Sequence, residues 1–356
     1  MNKMKITPEA GDFGQPRVII PAPSNLRYAH LSWSKIVTAH DGTLVLAYLS
    51  GTTHRTNGCP TVAVSKDGGK SFGEPQVLID LHQGMEFEHS GNLALGVAVD
   101  GSIVLLAMAL RSKQSSSTIM GWRSEDSGAT WIRVNTGNLQ KTTGSVYGHV
   151  FIVPGKGLAV TGHFREGSLL SDRGLWIAFS LDNGLSWGDP QMITEQYLAE
   201  PAFCWVNNKL IGLAKGMKGN GLGYTQFESD DYGENWRFTN PVLSIEQDPT
   251  SPSLIPDPDN PERVYAFQTE RKIAGSESAP GHITLFQTRV IDLKWEKVGV
   301  IAYFPQLLNQ STVKRDFGYP WMTKCEDGTW LLVFYDGEFA GPNSLWGLTL
   351  DLNDTK

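Results

Sequence analysis

The pattern Ser-x-Asp-x-Gly-x-x-aromatic occurs four times in this chain and limits its fold more than any other feature. The copies are Ser65-Asp67-Gly69-Phe72, Ser124-Asp126-Gly128-Trp131, Ser180-Asp182-Gly184-Trp187 and Ser229-Asp231-Gly233-Trp236. They lie 59, 56 and 49 residues apart, and Asp292 to Trp295 reads as a worn fifth copy. In each copy the Asp carboxylate can accept backbone N–H groups within a tight turn. The Gly supplies φ > 0, and the aromatic ring anchors the turn on the core. These positions are structural and carry no catalytic expectation.

A second, independent period runs through the whole chain. Six turns begin near Asp41, Asp100, Gly155, Asn207, Asp259 and Asp327, and each is followed by a β-rich run. The runs are 43–49, 102–110, 157–163, 209–215, 263–268 and 329–335, rich in Val, Leu, Ile and aromatics. Repeats of this length are too long for a β-solenoid and suit propeller blades of about four strands. The sequence therefore predicts an all-β, six-bladed β-propeller with four-stranded antiparallel blades. One domain is expected over 1–356, with the blades at about 25–350. No long 3.6-residue apolar period appears, so helices should be few.

Composition excludes several classes of function. The net charge of −7 argues against nucleic acid as a partner. No apolar run is long enough to span a membrane. Met1 to Gly11 is polar and shows no signal peptide. The sequence as written is expected to be cytoplasmic, or periplasmic or secreted if a leader has been removed. Cys59, Cys204 and Cys325 lack metal-type spacing and read as buried thiols. There is neither a Gly-rich phosphate loop nor close His spacing, so no cofactor and no metal are expected. Oligomeric state is not readable.

In a blade, the start of the first strand and the end of the second share one face. Residues 7 to 12 positions before or after each turn should therefore gather around the axis. Before the turns stand His30, Glu88, His89, Tyr147, His149, Glu200, Asp248, Arg315, Asp316 and Tyr319. After them stand His54, Arg55, Arg111, His163, Arg165, Lys215, Glu270, Arg271, Asp336 and Glu338. Six of these are cations: Arg55, Arg111, Arg165, Lys215, Arg271 and Arg315. Such focusing in an acidic chain predicts an anionic ligand. The planar guanidinium fork makes a sugar acid the expected partner. Trp33, Trp205 and Trp321 fall on inner strands and read mainly as core.

The four boxes resemble the Asp-boxes, or BNR repeats, of the sialidase superfamily, and the resemblance covers about residues 25 to 350. It implies a Tyr nucleophile activated by a Glu, a scheme that avoids repulsion between a carboxylate nucleophile and an anionic substrate. Glu200, in Leu-Ala-Glu-Pro-Ala-Phe, and Tyr319, in Phe-Gly-Tyr-Pro-Trp-Met, stand where the family pair would lie. Other positions depart from the family. The first inner strand reads Leu-Ser-Trp-Ser-Lys over 31–35 and has no Arg; a family Arg is replaced by Lys215. The loop 51–59 lacks the family's acidic Asp and offers His54 and Arg55. Imidazoles titrate near neutrality, so His54 is the candidate acid.

The resulting expectation is an exo-acting glycoside hydrolase that removes a terminal acidic, sialic acid-like sugar. Tyr319, Glu200 and His54 would be catalytic. His30, His89, His149, His163, Arg55, Arg111, Arg165, Lys215, Arg271 and Arg315 would bind the substrate. Five of eight histidines on one face keep open a uronic acid lyase using His or Tyr with Arg. A non-catalytic sugar-binding propeller is the third reading.

Overall fold

A computed structural model describes residues 7–111, 117–216, 223–243, 250–271, 280–305 and 314–352. Strands form six antiparallel units of four strands, blades 1 to 6, and Glu9–Ala10 adds a short fifth strand to the outer edge of blade 5. Their inner strands are His30–Thr38, His89–Val97, Tyr147–Val153, Leu198–Val206, Ser253–Asp257 and Arg315–Lys324. Each pairs with the strand that follows the turn expected from the sequence: Leu44–Gly51, Ile103–Leu110, Gly157–His163, Lys209–Gly216, Asn260–Glu270 and Trp330–Glu338. Consecutive inner strands touch, and the last touches the first, so the blades close a ring. The only helical elements among the described residues are two 3-10 turns, Leu26–Tyr28 and Gly137–Thr142.

Ring closure uses the chain's beginning. Arg17–Ile20 pairs antiparallel with Asn343–Leu350 and forms the outer strand of blade 6. Both faces of a middle strand pack on neighbouring blades, so its residues are apolar without alternation. Ile103–Leu110, sequence IVLLAMAL, is buried throughout.

The four boxes cap the outer hairpins as their chemistry dictates. In blade 3, Ser180 Oγ donates to Asp182 Oδ1 at 2.8 Å and accepts the Gly184 N–H at 2.9 Å. Asp182 also accepts the Ser186 N–H at 2.8 Å. The same bonds recur around Asp67, Asp126 and Asp231. Trp187 is buried beneath its turn.

The inner strands carry the feature that makes a site. Five of the six break register near their entry, at Ser32/Lys35, Ser90/Leu93, Tyr147/Val150, Ala199/Ala202 and Gly318/Trp321. Three of these bulges hold a non-glycine residue in the left-handed region: Trp33 (φ 52), Glu200 (φ 53) and Tyr319 (φ 54). That conformation costs on the order of 1–3 kcal/mol and persists only where the surroundings enforce it. Pro201 and Pro320 follow two of them. A proline is tolerated on a central strand where a bulge removes the need for its missing N–H.

Candidate active site

The bulges direct Trp33, Glu200 and Tyr319 into one cavity of about 720 Å³ on the axis, also lined by His54, Arg55, His89, His163, Arg165, Lys215 and Arg271. Nine residues expected at the site therefore share one wall system. Four of them are cations, and Glu200 is the lining acid.

Tyr319 and Glu200 come from blades 6 and 4, on either side of blade 5, and meet at the floor. The phenol donates to Glu200 Oε1 at 3.0 Å. Glu200 Oε2 lies 2.6 Å from Lys215 Nζ and accepts the Ser251 hydroxyl. The strained Glu200 backbone is braced as well. Its N–H donates to His163 Nδ1 at 3.3 Å, and that nitrogen lies 2.7 Å from Ser145 Oγ. Burial opposes the Glu200 charge, but the Lys215 ammonium, with the Ser251 hydroxyl and His163, outweighs it and holds the carboxyl at about 2. Burial, with the Glu200 charge beside it, pushes the Tyr319 phenol up to about 12. The resting pair is a neutral phenol donating to a carboxylate.

A second cluster forms at the seam of blades 6 and 1. Asp316 is fully buried. Its Oδ2 lies 2.7 Å from His54 Nδ1 and 3.3 Å from His30 Nε2. Its Oδ1 lies 3.0 Å from an Arg271 Nη and 3.1 Å from the Tyr335 hydroxyl. Burial disfavours this charge, but the two imidazoles and the guanidinium hold the carboxyl well below the usual range. The His54 ring stacks on Phe339 at 4.4 Å. With Nδ1 committed to Asp316, Nε2 is the nitrogen left for the cavity. The His30, His54 and Asp316 ligand atoms lie within 4.8 Å of one another, a spacing a metal ion can use. Arg271 already supplies that carboxylate with a cation.

Four expected ligands lie elsewhere. His149 is directed away from the site: its Nε2 accepts the Trp321 Nε1–H at 2.5 Å, and it borders a separate hollow with Met322 and Lys324. Burial lowers its pKa to about 3. Arg315 makes a two-pronged pair with Asp336, at 2.7 and 2.6 Å, and lies over the Phe304 ring. Arg111 pairs with Glu86 and covers Phe87. His30 stands behind His54, buried on Asp316. Strand alternation explains the Arg315 error: Asp316, one residue on, faces blade 1, while Arg315 faces blade 5. Asp248 lies outside the described residues.

Three contributors were not assigned a site role from the sequence. Asp316 was placed on the rim without its partners. Trp33, read as core, lines the cavity edge-on to Tyr319 at 5.9 Å. Lys35 has no exposed surface. Its ammonium sits 4.6 Å from the centroids of both Tyr147 and Trp321, and 5.9 Å from that of Tyr319. Burial lowers its pKa to about 7. The signal present in the sequence was a lysine in the middle of an inner strand, His30–Thr38.

Comparisons agree with this architecture. A family model described as BNR repeat-like domain matches residues 2–332. No curated protein matches the chain. Among solved structures, a protein of unknown function from Dyadobacter fermentans is 17% identical with a TM-score of 0.71, the match covering 96% of this chain and 98% of that one. A Hadza microbial sialidase is 15% identical, with a TM-score of 0.68 and coverage of 96% and 69%. The leech intramolecular trans-sialidase is 12% identical, with a TM-score of 0.68 and coverage of 95% and 70%. The chain belongs to the BNR repeat-like family and has the sialidase fold.

Proposed function

We propose that this protein is a retaining exo-glycosidase acting on a terminal anionic sugar, within the broader class of sialidase-like carbohydrate-active proteins. The observation that carries the reading is the 3.0 Å contact between the Tyr319 hydroxyl and Glu200 Oε1 at the floor of the cavity. Tyr319 Oη attacks the anomeric carbon while its proton passes to Glu200. The glycosidic C–O bond breaks, and His54 Nε2 gives a proton to the leaving oxygen. A Tyr319 glycoside results. Water then attacks it, His54 takes the water's proton, and Tyr319 recovers its own from Glu200. Atoms and charges balance over the two steps.

The wide pKa separation between phenol and carboxylate keeps the nucleophile protonated at rest. The phenolate character needed for attack develops only as the bond to carbon forms. Asp316 would hold His54 in the tautomer with Nδ1 protonated and stabilise the imidazolium. The cationic lining favours an anionic substrate, and Trp33 offers an apolar face beside the reacting phenol.

The test is turnover of fluorogenic glycosides of anionic sugars, with Tyr319→Phe as the control. Release of the aglycone with an intact sugar, lost in Tyr319→Phe, supports the proposal. Full activity in that variant overturns the nucleophile assignment. An unsaturated uronate as product would mark β-elimination instead.

A further inference from the structure

The cavity is electrically divided by blade. Blades 4 to 6 supply Glu200, Lys215, Arg271 and Tyr319. There each cation faces an acid: Lys215 is 2.6 Å from Glu200, and Arg271 is 3.0 Å from Asp316. Arg271 also donates to the Phe317 carbonyl at 3.0 and 2.8 Å.

Blades 1 to 3 supply Arg55, His89 and Arg165. Among the described residues, neither Arg55 nor Arg165 is in an ion pair. The polar contact of the Arg165 guanidinium is to Met108 Sδ at 3.9 Å. Glu88, beside His89, accepts the Gly84 N–H at 3.1 Å. The two arginines are close enough to act on one another: after burial, the Arg55 charge is the next cause that lowers the pKa of both Arg165 and His89.

Like charges separate unless the backbone holds them. Arg55 sits in the left-handed region (φ 60). Its tight turn is closed by Thr52 N to Thr56 O at 3.0 Å and Thr56 N to Thr53 O at 3.1 Å. Arg165 is held on both sides, with its N–H on Thr142 O at 3.3 Å and its C=O accepting from Thr143 Oγ1 at 3.0 Å. A backbone that fixes two guanidiniums beside one cavity, with no acid paired to either among the described residues, favours an anion there.

We infer that the substrate's negative charge lies across the sugar ring from the anomeric carbon, on a substituent received by Arg55 and Arg165. This rests on Tyr319 as the place of the anomeric carbon. A carboxylate on that carbon would meet Lys215 and Arg271, whose charges Glu200 and Asp316 already offset. A remote oxyanion meets two guanidiniums with no acid. The substrate class is therefore an aldose glycoside with a distal carboxylate or sulfate ester, a hexuronide or sulfated hexoside, rather than a 2-ulosonic acid ketoside.

Calorimetric titration of the Tyr319→Phe full chain separates binding from chemistry. The probes are methyl hexuronides and 6-sulfated methyl hexosides of gluco, galacto and manno configuration, their uncharged parents, and the methyl ketoside of N-acetylneuraminate. The expected result is a charged aldoside that binds about tenfold or more tighter than its parent. Arg55→Gln with Arg165→Gln should remove that advantage, and Arg165→Lys alone should reduce it; an unchanged melting temperature checks folding. Carboxylate and sulfate probes distinguish the two oxyanions. The inference is overturned if no charged aldoside outbinds its parent, if the ketoside binds tightest, or if the preference survives in the double variant. Intact charge-selective binding with no turnover in the unsubstituted protein would instead count against the Tyr319 chemistry alone.

Discussion

His54 and Asp316 meet at 2.7 Å across the seam that closes the ring between blades 1 and 6. A buried carboxylate on one imidazole nitrogen fixes the tautomer and leaves the other nitrogen for the substrate. If His54 is the acid, its removal matters most where the leaving group needs a proton. His54→Ala should lower kcat/KM by about 10²–10⁴-fold for alkyl glycosides. It should lower it far less for nitrophenyl glycosides, whose leaving groups depart without help. Asp316→Asn should follow the same pattern more weakly. Equal losses on both substrate types would contradict an acid role.

If Glu200 accepts the Tyr319 proton, Lys215 should set the acid limb of the pH profile. Burial alone would raise the Glu200 pKa, and the Lys215 ammonium keeps it at about 2. In Lys215→Met the Ser251 hydroxyl still lowers it but the main opposition is removed, so Glu200 binds its proton at higher pH and accepts less well from Tyr319. The acid limb of kcat/KM should move upward by about one pH unit or more. A limb that stays in place would mean Glu200 is not the proton acceptor.

The buried Lys35 is a stability cost. Its pKa of about 7 lies below the ordinary value of 10.5. The unfolded chain therefore binds more protons between those values, and stability rises with pH from about 7 toward 10.5. Lys35→Met should stabilise the fold by about 1–4 kcal/mol, most strongly below pH 7. It should also slow turnover, because the ammonium lies beneath the Tyr319–Glu200 pair. Denaturant melts at pH 6 and pH 10 check the sign. A variant less stable at pH 6 would contradict the account.

The boxes are predicted to hold the fold rather than act in the chemistry. Ser180 is buried and makes two hydrogen bonds within its turn. Ser180→Ala should cost about 1–2 kcal/mol in urea unfolding and leave kcat/KM unchanged. Lost activity in a fully folded Ser180→Ala protein would overturn that separation.

The fold was readable because its signals are local. Turn chemistry at Asp41, Asp100 or Asp327 and the β-rich run after it lie within ten residues of each other. The site was readable in part. Glu200 and Tyr319 stood out by resemblance, and the prolines after them mark the bulges. Side-chain direction was not readable, because a bulge resets strand alternation. Gly148 (φ 91) sits in such a bulge, and His149 beyond it turns to Trp321. Charge compensation was equally hidden. Arg315 with Asp336, and Arg271 with Asp316, are pairs formed across strands that no single-strand pattern reveals.

The central claim is covalent chemistry at Tyr319, and trapping tests it most directly. The protein is incubated with a fluorosugar glycosyl fluoride of its preferred anionic sugar, then digested and mapped by mass spectrometry. The account predicts one added sugar on the peptide carrying Tyr319, and no adduct in Tyr319→Phe. A sugar on Glu200, or hydrolysis in the Tyr319→Phe protein at the unsubstituted rate, would contradict it.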